Sequence, residues 1–264
     1  MDIFQVIIIA IVEGLTEYIP ISSTGHMIIT EKLLHVTETD FVKAFTVAIQ
    51  LGAILAVVVL YYKKFFNFSK WKFYVKLMIA VVPAIVLGLL FSKKIDALLE
   101  STLTVAISML AGGIVLLFID NVFNRPVIDS EERITYKKSF FIGVWQCIAM
   151  IPGVSRSAAS IIGGMQQRLT RSAAAEFSFF LAVPTMLAAT GYKLLKYFQE
   201  HGGFTSEEVK QLAIGNVIAF IVAIIAIKFF ITMLKKYGFR IWGVYRVIVG
   251  VILLIMIYTG YLSQ

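Results

Sequence analysis

The chain has 264 residues, of which 59% are hydrophobic and 15% are charged, and its formal net charge at pH 7 is +8. This composition, with a mean hydropathy of +0.87, excludes an ordinary soluble domain. The basic residues stand in short clusters between apolar runs, so they indicate membrane topology and lipid headgroup contacts and not nucleic-acid binding.

Six apolar segments are long enough to cross a bilayer, which takes roughly 18 residues or more. They cover residues 44–62, 74–92, 102–119, 174–195, 211–231 and 241–261. A shorter apolar segment precedes each group of three, and proline interrupts it, at Pro20 in the first half and at Pro152 in the second. The sequence therefore predicts an all-α polytopic membrane protein.

The first interrupted segment concentrates polar side chains in an apolar setting. Glu13 and Glu17 are four residues apart, so a helix places both carboxylates on one face, where two like charges favour binding of a proton or a cation. Pro20 ends that helix, and Ser22 or Ser23 is placed to cap a second helix whose N-terminus attracts anions. This pattern predicts a place where a divalent cation and a phosphate meet.

The second interrupted segment, residues 140–169, supplies the complementary charge at its break, residues 151–160. Gly153 permits a close backbone approach, Ser155 is a plausible helix cap, and the Arg156 guanidinium suits phosphate oxygens. An arginine at membrane depth needs a partner. One interpretation is that Arg156 only forms a structural ion pair with Glu13 or Glu17, and the other is that it binds phosphate.

The two halves of the chain repeat one order of elements. A shift of 132 residues places Pro20 on Pro152 and Ser23 on Ser155. The prediction is a first repeat at 1–122 with a re-entrant segment at 1–36, a connector at 123–137, and a second repeat at 138–264 with a re-entrant segment at 139–170.

Three spans per half is an odd number, so the two repeats must have inverted topology. Each interrupted segment is then expected to be a re-entrant helix pair that enters the membrane and returns, which brings the two breaks together. The basic loops after the first span and near 232–240 are expected to face the cytoplasm, which leaves both termini outside.

Together the Glu13–Glu17 pair, the Pro20–His26 run and the Pro152–Ser157 run resemble the undecaprenyl pyrophosphate phosphatases of the bacitracin-resistance type. The resemblance covers essentially the whole chain. It implies a multi-pass enzyme of the bacterial cell membrane with an active site open to the outer face. It also implies recycling of the lipid carrier for cell-wall synthesis. The oligomeric state stays open, and a homo-oligomer is one of the alternatives. Ser160 stands where the family usually has threonine.

The resemblance also guides the expected reaction, removal of the terminal phosphate from the isoprenoid pyrophosphate. Glu13 and Glu17 are expected to hold Mg²⁺ or Ca²⁺, and Arg156 to neutralise phosphoryl charge. Ser23 is the expected nucleophile with His26 as its base, or His26 activates a water directly. The further residues expected to bind phosphate are Ser22, Thr24, Gly153, Ser155, Ser157 and Ser160.

Two alternatives come from other mechanistic classes. Inverted halves with broken helices also occur in transporters, so a lipid flippase is one alternative. An acid-phosphatase-like enzyme with a histidine nucleophile is the other, but its pattern expects a histidine and an aspartate where this chain has Ala159 and Ser160.

Overall fold

The computed structural model describes residues 1–99 and 101–262 and consists of helices joined by short connections. Glu100 and the last two residues of the predicted second repeat lie outside the described residues. The helices are α1 Ile3–Thr16, α2 Ser23–Leu33, α3 Asp40–Ala48, α4 Gln50–Leu60, α5 Tyr62–Phe65, α6 Trp71–Leu99, α7 Thr102–Val122, α8 Tyr136–Gln146, α9 Arg156–Gln166, α10 Arg171–His201, α11 Ser206–Tyr237 and α12 Arg240–Tyr258. Short 3₁₀ helices cover Phe68–Lys70, Glu131–Arg133 and Cys147–Met150.

The prediction of an all-α protein with six spans is confirmed. The helices that are long and apolar enough to cross a membrane cover Asp40–Leu60, Phe68–Phe91, Thr102–Val122, Arg171–His201, Ser206–Tyr237 and Arg240–Tyr258. Most of them extend beyond the predicted apolar cores because polar capping residues lie outside those cores. Side chains that accept the capping hydrogen bond belong to Asp2, Thr39, Ser101, Thr135, Thr170 and Thr205.

The first span is two helices, α3 and α4, that meet at Ile49. The Gly52 N–H bonds to the Ile49 carbonyl at 3.1 Å and to the Asn216 side-chain oxygen at 2.8 Å. Asn216 belongs to α11, so a polar side chain of one span satisfies the backbone of another span where its helix is broken.

Hydrogen bonds at one end of the molecule fix where α1 begins and α2 ends. The Gln211 side chain, near the start of α11, donates to the Met1 carbonyl at 2.9 Å. The Gln5 side chain donates to the Leu34 carbonyl at 3.1 Å. The start of α1 and the end of α2 therefore lie at the same end as the loop between α10 and α11.

A second set of contacts joins helix ends at the opposite end. Asp120, near the end of α7, pairs with Arg171 and accepts the Phe239 N–H at 2.7 Å. The Lys138 ammonium, near the start of α8, donates to the Gln167 carbonyl at 2.7 Å, where α9 has just ended. The connector also lies here, because Ile128 forms an isolated bridge with Leu169.

Glycines allow some helices to pack with their backbones in contact. A Cβ atom added at Gly143 of α8 would overlap the Ala80 backbone of α6. Gly191 of α10 gives a contrast, because nothing lies within 4 Å of a Cβ atom built there.

We predict that Gly143→Ala destabilises the protein by about 1–3 kcal/mol, because the added methyl forces α8 away from α6. The matched control is Gly191→Ala, which adds the same methyl to a helix in open space and is expected to be neutral or slightly stabilising. Thermal unfolding in detergent measures both variants. Equal melting temperatures for the two variants would contradict this packing.

Candidate active site

Two non-helical turns form the site, one in each interrupted segment. After α1 ends, Glu17 keeps helical backbone angles, and α2 begins at Ser23. In the second segment the Ser155 hydroxyl caps α9 by accepting the Ala158 N–H at 3.2 Å. The structure therefore bears out a helix, a break and a second helix in both segments.

The two turns meet through an ion pair. Arg156 Nη2 donates to Glu17 Oε1 at 2.9 Å, and these side chains are only 13% and 7% exposed. The other Glu17 oxygen accepts the Ser23 hydroxyl at 2.8 Å. Three predicted site residues from two distant segments thus share one hydrogen-bonded cluster.

Other groups hold the Arg156 guanidinium in place. Its Nη1 atom donates to the Ser178 carbonyl at 3.1 Å, and its Nη2 atom lies 3.3 Å from the Met186 sulfur. The guanidinium carbon lies 5.4 Å from the centre of the Tyr18 ring, which is cation–π geometry. The Arg156 Nε–H has no partner among the described residues, so this side chain retains a free donor.

Glu13 lies one helical turn before Glu17 and is 1% exposed. Its Oε1 atom is buried without a hydrogen-bond partner in the described part of the chain. A buried carboxylate oxygen without a donor fits a metal ligand, as the sequence predicts.

The described residues contain no cluster of three or more His, Cys, Asp and Glu that would enclose a metal ion. A cation at this site would therefore draw two carboxylates from the protein and its remaining ligands from water and phosphate. That ligand set is typical of Mg²⁺.

The predicted nucleophile Ser23 and the predicted phosphate-binding residues divide into two groups by burial. Ser23, Thr24, Ser155 and Arg156 are partly accessible, whereas Ser22, Gly153, Ser157 and Ser160 are buried. Two of the buried hydroxyls bond to protein groups: Ser157 donates to the Ile19 carbonyl at 3.1 Å, and Ser160 lies 2.7 Å from the Ser178 hydroxyl. In this structure, therefore, Ser157 and Ser160 tie together elements around the site.

His26 uses both ring nitrogens, but neither contacts Ser23. Nδ1 lies 2.8 Å from the Ser22 carbonyl, which accepts only, so Nδ1 carries the proton. Nε2 lies 2.8 Å from the Tyr245 hydroxyl on α12. The backbone carbonyl thus leaves Nε2 as the basic nitrogen, which a general base requires.

Arg246 is the important residue that the sequence reasoning missed. It is fully buried, and among the described residues its hydrogen-bond acceptors are all backbone carbonyls. The acceptors are Pro20 and Ser108 at 3.2 and 3.1 Å, Gly153 and Val154 at 2.9 Å each, and Met109 at 3.3 Å. One guanidinium therefore joins the two turns by hydrogen bonds to their carbonyls. An arginine inside the predicted span 241–261 was a signal for it. The neighbouring Tyr245 carried no such signal.

Gly153 also fits its position for a local reason. Its φ of +87° lies in the region that glycine adopts without strain, and a Cβ atom there would overlap the Val105 backbone of α7. The turn therefore requires glycine at this position.

Comparison with known proteins gives a consistent result. The family described as bacitracin resistance protein BacA matches residues 6–252. The chain is 57% identical to the undecaprenyl-diphosphatase of Flavobacterium psychrophilum, over 97% of this chain and 96% of the relative. It is 50% identical to that of Porphyromonas gingivalis, over 98% of each chain, and 44% identical to that of Aquifex aeolicus, over 96% and 97%. The chain therefore belongs to the BacA family of bacitracin resistance proteins.

Proposed function

We propose that this chain is an undecaprenyl-diphosphatase, which hydrolyses undecaprenyl pyrophosphate to undecaprenyl phosphate and inorganic phosphate. The observation that carries the proposal is the Glu17–Arg156 pair at 2.9 Å, with Ser23 on the same carboxylate. The relatives that bear this name align with nearly the whole chain. Through this reaction the chain would recycle the lipid carrier for cell-wall synthesis and contribute to bacitracin resistance.

The site offers several donors to a pyrophosphate group. Arg156 has a free Nε–H and exchanges its Glu17 partner for phosphate oxygens when substrate enters. Helices α2 and α9 both begin at the site, and their N-terminal N–H groups attract anions. Every group comes from one chain, so the proposed reaction needs no second copy even if the protein forms the homo-oligomer that the sequence left open.

Glu13 and Glu17 would hold the divalent cation, Mg²⁺ or Ca²⁺. When bound, the cation supplies positive charge for the phosphoryl oxygens, which is most of what catalysis requires in phosphoryl transfer. The partnerless oxygen of Glu13 supports this assignment.

The proposed reaction begins when Ser23 Oγ attacks the terminal phosphorus. An Oγ–P bond forms and the bridging P–O bond breaks, while the Ser23 proton passes through His26 Nε2 to the departing undecaprenyl phosphate. Water then attacks the phosphoserine, inorganic phosphate leaves, and a water hydrogen restores the Ser23 hydroxyl. For the first step the Ser23 hydroxyl breaks its hydrogen bond to Glu17 and forms one to His26 Nε2. His26 lies one helical turn further along α2.

The membrane arrangement that we propose is two inverted repeats, each a re-entrant helix pair followed by three spans. The start of α1 and the end of α2 lie at one end of the molecule, and the start of α8 and the end of α9 lie at the opposite end. This opposition supports the inverted arrangement. Among the described residues, the four non-glycine residues with positive φ form two pairs, Ser22 with Ser155 and His35 with Arg168. Both pairs are 133 residues apart, one more than the shift of the sequence motifs.

The orientation follows from charge. The end that carries the connector is rich in lysine and arginine, so it would face the cytoplasm, and both termini would lie outside. Helix α2, which carries Ser23 and His26, runs from the site toward the opposite end, so the site would open to the outer face of the bacterial cell membrane.

We predict that Glu17→Gln and Arg156→Ala each lower kcat/KM for undecaprenyl pyrophosphate by about 10²–10³. The first change weakens binding of the proposed cation, and the second removes a positive charge that would neutralise the phosphoryl oxygens. Phosphate release by the purified chain in detergent with Mg²⁺ measures this. A chelator is expected to abolish activity, and Mg²⁺ to restore it.

Glu38→Gln and Arg133→Ala are the matched controls, because each residue forms its ion pair at the exposed surface, away from the site. Full activity in both site variants would refute the proposed site. Activity in detergent also separates a phosphatase from a flippase, because only transport requires a sealed membrane.

We predict that rapid quenching with substrate labelled in its terminal phosphate traps an acid-stable phosphoserine at Ser23. Peptide mapping locates the label, which Ser23→Ala removes and Ser22→Ala retains. An acid-labile label at His26 would instead support a histidine nucleophile, and the absence of any covalent label would support direct activation of water by His26.

We predict that Tyr245→Phe lowers kcat by about threefold to tenfold with little change in KM, because it removes one hydrogen bond that orients His26. Tyr258→Phe is the matched control on the same helix, since Tyr258 is 93% exposed. Steady-state kinetics measures both variants. An unchanged kcat in Tyr245→Phe would show that this contact does not orient the base.

A further inference from the structure

A cavity of about 390 Å³ lies at the end of the molecule that holds the connector. We call it the basic pocket, and its charged lining residues are Lys64, Lys70, Lys72, Lys76, Glu131 and Glu132. None of them belongs to the candidate active site. Four lysines against two glutamates leave the pocket with an excess of two positive charges.

The two glutamates each pair with one lysine. Lys64 binds Glu131 at 2.7 Å, and Lys70 binds Glu132. These ion pairs hold the connector against α5 and the 3₁₀ helix that precedes α6. They leave Lys72 and Lys76 without a carboxylate partner among the described residues.

Lys76 is 8% exposed, which is unusual for an ammonium group. It donates to the carbonyls of Glu131 and Glu132 at 2.9 Å each, and an ammonium has a third N–H to give. Lys72 makes no hydrogen bond or ion pair with the part of the chain that the structure describes. The pocket therefore has positive charge and free donors ready for an anion.

Exposed aromatic residues place the pocket at the level of lipid headgroups. Trp71, which lines it, is 58% exposed, and Phe68 beside it is 73% exposed. Both lie at the first turn of the span Phe68–Phe91, where the helix leaves the apolar interior. Tryptophan is enriched at this interface, and basic pockets between spans bind anionic headgroups.

We propose that the basic pocket binds the phosphate headgroup of an anionic phospholipid. The headgroup phosphate accepts hydrogen bonds from Lys72 and Lys76, and its acyl chains lie along the exposed apolar face of α6. A free phosphate ion has the same charge chemistry, but it would gain nothing from the apolar surface beside the pocket.

The test uses the purified full chain in a zwitterionic detergent. Native mass spectrometry follows the binding of dioctanoyl phosphatidylglycerol, with dioctanoyl phosphatidylcholine as the zwitterionic probe. We expect tighter binding of phosphatidylglycerol to the wild type, and a loss of about fivefold in Lys72→Gln, the amount that one lysine near a lipid surface contributes. Lys72→Glu is expected to lose more.

Lys137→Gln is the matched control, because Lys137 is exposed at the same end but does not line the pocket. Its affinity for phosphatidylglycerol is expected to equal that of the wild type. Equal binding of the two lipids by the wild type, or equal losses in Lys72→Gln and Lys137→Gln, would overturn the proposal. Displacement of phosphatidylglycerol by an equal concentration of inorganic phosphate would overturn the lipid assignment and indicate a free-anion site.

Discussion

The ion pair between Glu17 and Arg156 is the interaction on which the rest of the site depends. A charged side chain in an apolar surrounding loses its hydration, so each of these groups alone would be strongly unfavourable. Removing one partner of such a buried pair typically costs about 3–5 kcal/mol. The two interrupted segments, which are far apart in sequence, are therefore held together because each buried charge needs the opposite charge of the other segment. The contact that stabilises them also brings Ser23 beside the place where a phosphate would bind.

Non-helical backbone inside a membrane protein has a second requirement, because its carbonyls have no helical partner. Arg246 meets it by donating to carbonyls of both turns and of α7. Its burial is tolerated because these carbonyls accept its N–H groups. Its positive charge is also fixed near the site, where it would attract the negative charges of the proposed substrate.

Helix α10 supports both the candidate active site and the basic pocket. Ser178 binds Arg156, and Phe179 packs edge-to-face on Tyr18 at 5.3 Å between ring centres. The next residue, Phe180, lies 5.2 Å from the Lys64 ammonium, which lines the pocket. Neighbouring residues of one helix therefore contact the candidate active site and the basic pocket, so the two share a rigid support.

The sequence alone determined the helical class, the six spans and the two breaks, because hydropathy and proline act locally along the chain. It also identified Glu17 and Arg156, since polar groups in apolar runs need a reason to be there. Only the tertiary structure decided which carboxylate Arg156 binds, that His26 meets Tyr245, and that Arg246 joins the turns. Those partners lie up to 226 residues apart, and their hydrogen bonds depend on how helices pack, which no local pattern encodes.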